Sequence, residues 1–230
     1  MGKTILATTF VWLIGIGVAA ANMPSGEAKR LKEAAQVVNE LRATPDKGIP
    51  EELYEKAACV VVIPGMKKAA FVFGGEYGKG VMRCKNGNTW SAPVFMQLAK
   101  GSWGLQIGAQ SADLVLLVMN REGADKLLNN KVTLGADIGI AAGPVGRTGT
   151  AATDAQITSQ ILSYSRTKGL FAGIDLSGGV LRPDEDINTK VYGANKSATE
   201  IVKGGAAPPA EARAFVATLG REARATTGQR

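Results

Sequence analysis

Lys131-Val-Thr-Leu-Gly-Ala-Asp-Ile-Gly-Ile140 places Val132, Leu134, Ala136, Ile138 and Ile140 on one parity and Lys131, Thr133, Gly135, Asp137 and Gly139 on the other. Side chains alternate across a strand, so this spacing predicts a strand with one buried face and one nearly bare face. Ser102-Trp-Gly-Leu-Gln-Ile-Gly108 repeats the pattern, with Trp103, Leu105 and Ile107 opposing Ser102, Gly104, Gln106 and Gly108. Glycine inside a strand marks a bulge, a sharp bend or a close backbone approach. Its repeated use between Ala69 and Gly178 predicts a strongly curved sheet.

Outward from this core, residues 58–63, 66–75, 81–84, 90–98, 112–119, 156–165 and 169–176 read as further strands. Pro64-Gly65 ends the first of them, and Glu76-Tyr-Gly-Lys-Gly80 forms a bulged turn. Asn86-Gly87-Asn88 is a strong hairpin signal. Leu31, Ala34, Ala35, Val38 and Leu41 recur at helical spacing, which predicts a helix over residues 25–43 with Ser25 as its cap. A short helix follows Pro50, another follows Asn120, and residues 195–202 and 209–224 close the chain as helices. Residues 182–192 are polar and read as irregular. Together these elements predict an α+β fold: mainly antiparallel, strongly curved sheets, sandwich or barrel-like, with helices at the N- and C-terminal ends.

The chain contains no histidine among its 230 residues. Ser-His-Asp catalysis and a His-ligated zinc site are therefore excluded. Met1-Gly-Lys3 followed by an apolar run and Ala19-Ala-Ala21 reads as an export signal, residues 1–21. The formal net charge of +7 favours anionic surfaces. Nucleic acid is not expected as the partner, because no basic patch is interleaved with stacking aromatics. Cys59 and Cys84 are the only cysteines. In an exported protein they form a disulfide or remain two separate buried thiols.

Phe73-Gly-Gly-Glu-Tyr-Gly-Lys-Gly80, Trp90-Ser-Ala-Pro93 and Gly104-Leu-Gln-Ile-Gly108 with Ser111-Ala-Asp-Leu114 occur in that order. Leu134-Gly-Ala-Asp137, Ala142-Gly-Pro-Val-Gly-Arg147 and Ser163-Tyr-Ser-Arg-Thr-Lys-Gly-Leu-Phe-Ala-Gly173 follow. This ordered set resembles the SYLF domain family, also called the Ysc84-type actin-binding domain, over roughly residues 30–193. The resemblance implies a lipid-binding module occupying residues 22–193, with residues 194–230 as a helical extension and tail. Eukaryotic members are associated with phosphoinositide and, in fungi, with actin. For an exported, periplasmic or extracellular member, another anionic phospholipid replaces phosphoinositide and actin is not the expected partner. The family's basic N-terminal segment matches Lys29, Arg30 and Lys32 with Leu31 here.

Met66-Lys67-Lys68 places two cations at a strand start, and Lys79, Arg83 and Lys85 follow on the next hairpin. These residues form either an anionic headgroup cradle, with lysine as point charge and arginine as bidentate donor, or ordinary solvated edge protection. Arg147 and Arg166 lie in the family motifs. Each faces a phosphate or satisfies a structural carboxylate such as Asp137 or Asp175. Ser165-Arg-Thr-Lys168 has the spacing of a serine nucleophile motif but lacks its companion elements. Asp184-Glu-Asp186-Ile-Asn188 opens like a calcium loop, yet Thr189 and Asn195 replace the required glycine and glutamate, leaving a turn or helix-cap role. No cofactor, metal or catalytic group is expected. Residues 67, 68, 79, 83, 85, 147 and 166 are the candidate lipid contacts, with Trp103 and Phe171 as acyl contacts. The expected function is non-enzymatic binding of anionic phospholipid at a membrane face or shallow groove. The alternative is a structural envelope protein that binds another protein or the cell-wall polymer.

Overall fold

The structure is a computed structural model that describes residues 23–43, 48–70, 73–103, 108–145, 159–167 and 170–219. Residues 1–21, the expected export signal, and Arg147 lie outside these residues. Helix α1 (Ser25–Ala43) forms where the apolar spacing predicts it, and Leu31, Ala34, Ala35, Val38 and Leu41 are all buried. Glu27 in its first turn complements the helix dipole. Helix α2 (Glu51–Lys56) starts after Pro50, which takes the N-cap position.

Strands β1 (Cys59–Ala70), β2 (Phe73–Asn86), β3 (Thr89–Trp90), β4 (Val94–Trp103) and β5 (Gly108–Val118) follow in succession. Helix α3 (Arg121–Asn129) comes next, and the Asn120 side chain caps it by accepting from Gly123 N. Strands β6 (Val132–Thr133), β7 (Ile140–Ala142), β8 (Ile161–Thr167), β9 (Leu170–Gly173) and β10 (Val180–Pro183) complete a ten-stranded sheet. Its order is β6-β10-β4-β2-β1-β5-β8-β7, with β3 on β2 and β9 on β8. Among the described strands every pairing is antiparallel except β7 with β8. The sheet curls strongly into a half-barrel, which makes the fold α+β as the sequence predicts.

Apolar residues cover both faces of the sheet. One face packs Val60, Val62, Val81, Phe95 and Leu117 against α1, α2 and the C-terminal helix α5 (Arg213–Leu219, preceded by a tight turn at Ala210–Ala212). The other packs Val61, Ile63, Met82, Leu114 and Leu116 against α3 and Ile201. Residues that alternate along β1 therefore enter different cores, as the pleat requires.

Four local expectations are corrected. Pro64-Gly65 does not end a strand: β1 runs through it with a one-residue bulge against both neighbours, because the register shifts between Val62 and Lys67 on one side and between Ile63 and Met66 on the other. Proline has no N–H to give a ladder, and Gly65 adopts φ +57°, so the pair fits a bulge inside a strand. Residues 76–80 do not turn either. Gly78 and Gly80 instead let β2 lie against that bulge, since a Cβ would stand 2.5 Å from Ile63 Cγ2 and 2.3 Å from Val62 O respectively.

The stretch 131–140 is not one strand. Gly135 takes φ +87°, and the Asp137 carboxylate accepts from Thr133 N at 2.7 Å, closing a turn between β6 and β7. Residues 182–192 are ordered: β10 is followed by helix α4 (Glu185–Tyr192), whose buried Asn188 accepts from Phe95 N at 2.9 Å and donates to Phe95 O at 3.0 Å. Cys59 and Cys84 are register partners on β1 and β2, both fully buried, and they are joined as a disulfide.

Candidate functional site

The bulge in β1 is the centre of the site. It pushes Pro64-Gly65 toward α1, and the space left between helix and sheet is a cleft of about 320 Å³. α1 contributes Gly26, Lys29, Arg30 and Glu33, the bulged strand contributes Lys67, and β2 contributes Tyr77, Gly78 and Lys79. Lys67 and Tyr77 are cross-strand register partners, which sets them side by side on one face. Tyr77 is 47% exposed, and its ring forms the rim.

Carboxylates hold two of the four cations in place. Lys79 Nζ lies 2.8 Å from Asp184 Oδ2, and Asp184 is buried just ahead of α4. Arg30 pairs with Glu27 one turn back on α1. Burial pulls the Arg30 guanidinium below its ordinary range, while Asp184, Tyr77 and Glu33 pull it back up. Lys29 meets Glu33 at 3.6 Å across an exposed helix face, a pair worth little in water. Lys67 has no ion pair among the described residues. The cleft therefore holds an excess of positive charge that is partly oriented by its own carboxylates.

Directly behind the bulge, Asp113 on β5 accepts from Gly65 N at 2.8 Å through Oδ1. Its Oδ2 accepts from Arg166 Nε at 2.8 Å and lies 2.7 Å from Arg166 Nη2. Arg166 also pairs with Glu40 on α1. One arginine thus ties three elements together: β8 that carries it, β5 beside it and α1 above it. Burial lifts the Asp113 carboxyl above its ordinary range, the Gly65 N–H opposes this, and the Glu33 charge adds to it. Burial likewise lowers the Arg166 guanidinium.

Of the residues singled out from sequence, the structure brings Lys67 and Lys79 together and adds Lys29 and Arg30 from the N-terminal helix. Lys68 is on β1 beside them, but its side chain lies outside the described residues, as do those of Trp103 and Phe171. Arg83 is elsewhere: it is 2% exposed and donates to Ser91 O at 2.6 Å, Trp90 O at 3.0 Å and Val216 O at 3.0 Å. Burial draws its guanidinium down to about 10. Lys85 donates to the Glu55 carbonyl and stands 5.4 Å from the Trp90 ring centroid. Arg166 does satisfy structural carboxylates, but they are Asp113 and Glu40. Asp137 closes its own turn, and Asp175 accepts from Ser177 N and Oγ at 2.8 and 2.6 Å.

Asp184 does not open a cation loop, because the next residues are helical and its carboxylate is engaged by Lys79. Sequence reasoning missed Tyr77, Glu33, Asp113 and Glu40. The available signal for Tyr77 was an aromatic between two glycines, Gly75 and Gly78, which the turn assignment absorbed.

The chain matches the family Ysc84, described as Las17-binding protein actin regulator, over residues 99–222. It is 35% identical over 170 residues to LAS seventeen-binding protein 3 of Saccharomyces cerevisiae, an alignment that covers 71% of this chain and 36% of the yeast protein. SH3 domain-containing YSC84-like protein 1 of Xenopus laevis is 32% identical over 200 residues, 83% of this chain and 59% of the frog protein. Its Rattus norvegicus counterpart is 30% identical over 218 residues, 90% of this chain and 64% of the rat protein. The chain spans less than two thirds of the length of each of these relatives. With the family match over residues 99–222 and this identity over most of its length, the chain belongs to the Ysc84 (SYLF) family.

Proposed function

We propose that this chain is a non-enzymatic binding module that takes the phosphate of an anionic phospholipid headgroup into the cleft between α1 and the β1 bulge. The observation that carries the reading is the meeting of Lys29, Arg30, Lys67 and Lys79 around one cavity with the Tyr77 ring at its edge. Lysine supplies point charge to phosphate, and arginine supplies directed donors. Asp184 and Glu27 hold Lys79 and Arg30 oriented before a ligand arrives, which reduces the ordering that binding demands. The proposal includes action outside the reducing cytosol, a setting that the Cys59–Cys84 bridge favours.

Co-sedimentation with vesicles tests it. Protein should be recovered with vesicles containing phosphatidylglycerol and left behind by phosphatidylcholine alone. Lys67→Ala should weaken recovery about fivefold, since each Lys or Arg near an anionic surface contributes about 1 kcal/mol. Equal recovery with both vesicle types at low and high salt removes the headgroup mechanism.

The family's description as an actin regulator favours a second reading, in which the partner is a protein. The expectation against actin rests on export alone. Recovery with actin filaments and none with anionic vesicles selects this reading, and a structural envelope role belongs to the same class.

A further inference from the structure

The cleft does not stop at the bulge. A second cavity of about 180 Å³ continues along α1, and it shares Glu33, Pro64 and Gly65 with the first. Its remaining polar wall is Gln36, Glu40, Asp113 and Arg166. The two halves have opposite character. Four cations and one carboxylate line the first, whereas three carboxylates and one guanidinium line the second. Arg166 is already engaged by Asp113 and Glu40, so the acidic half keeps an excess of negative charge beside the basic one.

Glu33 stands at the junction and lines both halves. Its contact with Lys29 spans 3.6 Å between side chains that are 43% and 75% exposed, so a competing ligand displaces it easily. At the boundary a cationic side chain and a carboxylate stand within one ion-pair distance of each other. A phosphate resting on the lysine and an ammonium resting on the carboxylate would be separated by little more than an ethylene link.

We propose that the groove selects a ligand carrying both charges, a phosphate ester bearing a primary ammonium such as glycerophosphoethanolamine. The phosphate lies toward Lys29, Lys67 and Lys79, and the ammonium donates to Glu33 and the Gln36 side-chain oxygen. This inference rests on the phosphate-binding part of the headgroup reading above and adds a second pole, which makes the favoured lipid zwitterionic and not net anionic. The lipid and the free headgroup ester share the recognised chemistry.

The test is calorimetric titration of the whole chain with glycerophosphoethanolamine and with glycerophosphoglycerol, a phosphodiester of the same phosphate charge without the ammonium, alongside co-sedimentation with vesicles of phosphatidylethanolamine in phosphatidylcholine. Glycerophosphoethanolamine should bind about fivefold more tightly, the upper end for an exposed ion pair. Glu33→Gln should abolish the preference while glycerophosphoglycerol binding persists. The ratio of two affinities in one sample does not depend on the fraction folded, so a destabilised variant still reports. Preference in solution without recovery on vesicles assigns the free ester as ligand; both together assign the lipid. Equal affinity for the two esters, or a preference that survives Glu33→Gln, overturns the ammonium site and leaves the headgroup reading standing. Failure of both esters to bind, together with no recovery on phosphatidylglycerol vesicles, defeats the two readings together.

Discussion

Arg83 lies on β2 with its guanidinium turned into the protein, where three carbonyl oxygens accept its hydrogens, one of them Val216 O on α5. Replacement by methionine keeps much of the apolar stem but leaves those carbonyls without a donor in a dry setting. Removing one partner from a buried polar pair costs about 1–3 kcal/mol. Arg83→Met should therefore lower stability by about 3 kcal/mol in denaturant titration with an unchanged slope, while vesicle recovery of the folded fraction stays the same. Lys67→Ala should show the reverse pattern, because the Lys67 side chain has no ion pair among the described residues. A charge read from sequence does not say which of these two roles it serves; what separates them is whether carbonyl oxygens surround it. A second residue-level prediction concerns acid. The Ser177 hydroxyl and N–H hold the Asp175 carboxyl below its usual value of 3.8. Such a group adds stability above the unfolded value and loses it as pH falls through the folded one. The stability difference between wild type and Ser177→Ala should be constant near neutrality and shrink below pH 3.8.

The bulged pair of strands shows what an element needs beyond its own pattern. β1 carries one residue more than either neighbour between Val62 and Lys67, and β2 accommodates it with glycine at 78 and 80. A methyl group at 78 meets the Ile63 side chain, which has rotamers to move into, whereas one at 80 meets the Val62 carbonyl, which does not. Gly78→Ala should cost about 1–3 kcal/mol, the usual range for overpacking, and Gly80→Ala should cost more. Thermal or denaturant unfolding of both variants checks the order. The same glycines make this region look like turns in the sequence. From sequence, a glycine that reverses the chain and a glycine that admits a neighbour look alike. Residues 131–140 fail for a related reason. Val132, Leu134 and Ile138 are buried as their parity predicts, yet the backbone turns between them, because parity reports which side chains avoid water and not the direction of the chain. Helix α4 leaves little apolar signal in the sequence because its anchor is a polar residue, Asn188, whose amide stands in for a strand partner of Phe95. Helix α1 and the hairpin at Gly87 were readable because each rests on local spacing or one turn residue. The cleft was half readable: its lysines lie close in sequence on β1 and β2, but the α1 wall and the Asp113–Arg166 tie join residues far apart in the chain.

At the scale of the whole molecule, the net charge of +7 and the cleft make different claims about binding. If attraction to an anionic surface came from total charge, any lysine lost from the surface would weaken it equally. If it came from the cleft, position would decide. Lys131 and Lys203 are exposed and line none of the cavities described above, whereas Lys67 lines the basic half of the groove. Lys67→Glu, Lys131→Glu and Lys203→Glu each change the total by the same amount. At low salt, long-range attraction contributes, because the screening length is about 30 Å at 0.01 M and all three variants lose some affinity. At physiological salt that length falls to about 8 Å, so a charge far from the contact is screened while one inside it is not. Lys67→Glu should then lose on the order of tenfold or more in vesicle affinity, two charge steps at about 1 kcal/mol each, while the other two variants approach wild type. Titration of vesicles at the two salt levels separates the cases. Equal losses for all three variants at physiological salt would assign binding to the overall charge of the protein, and the bulge with its helix would then be a feature of the fold alone.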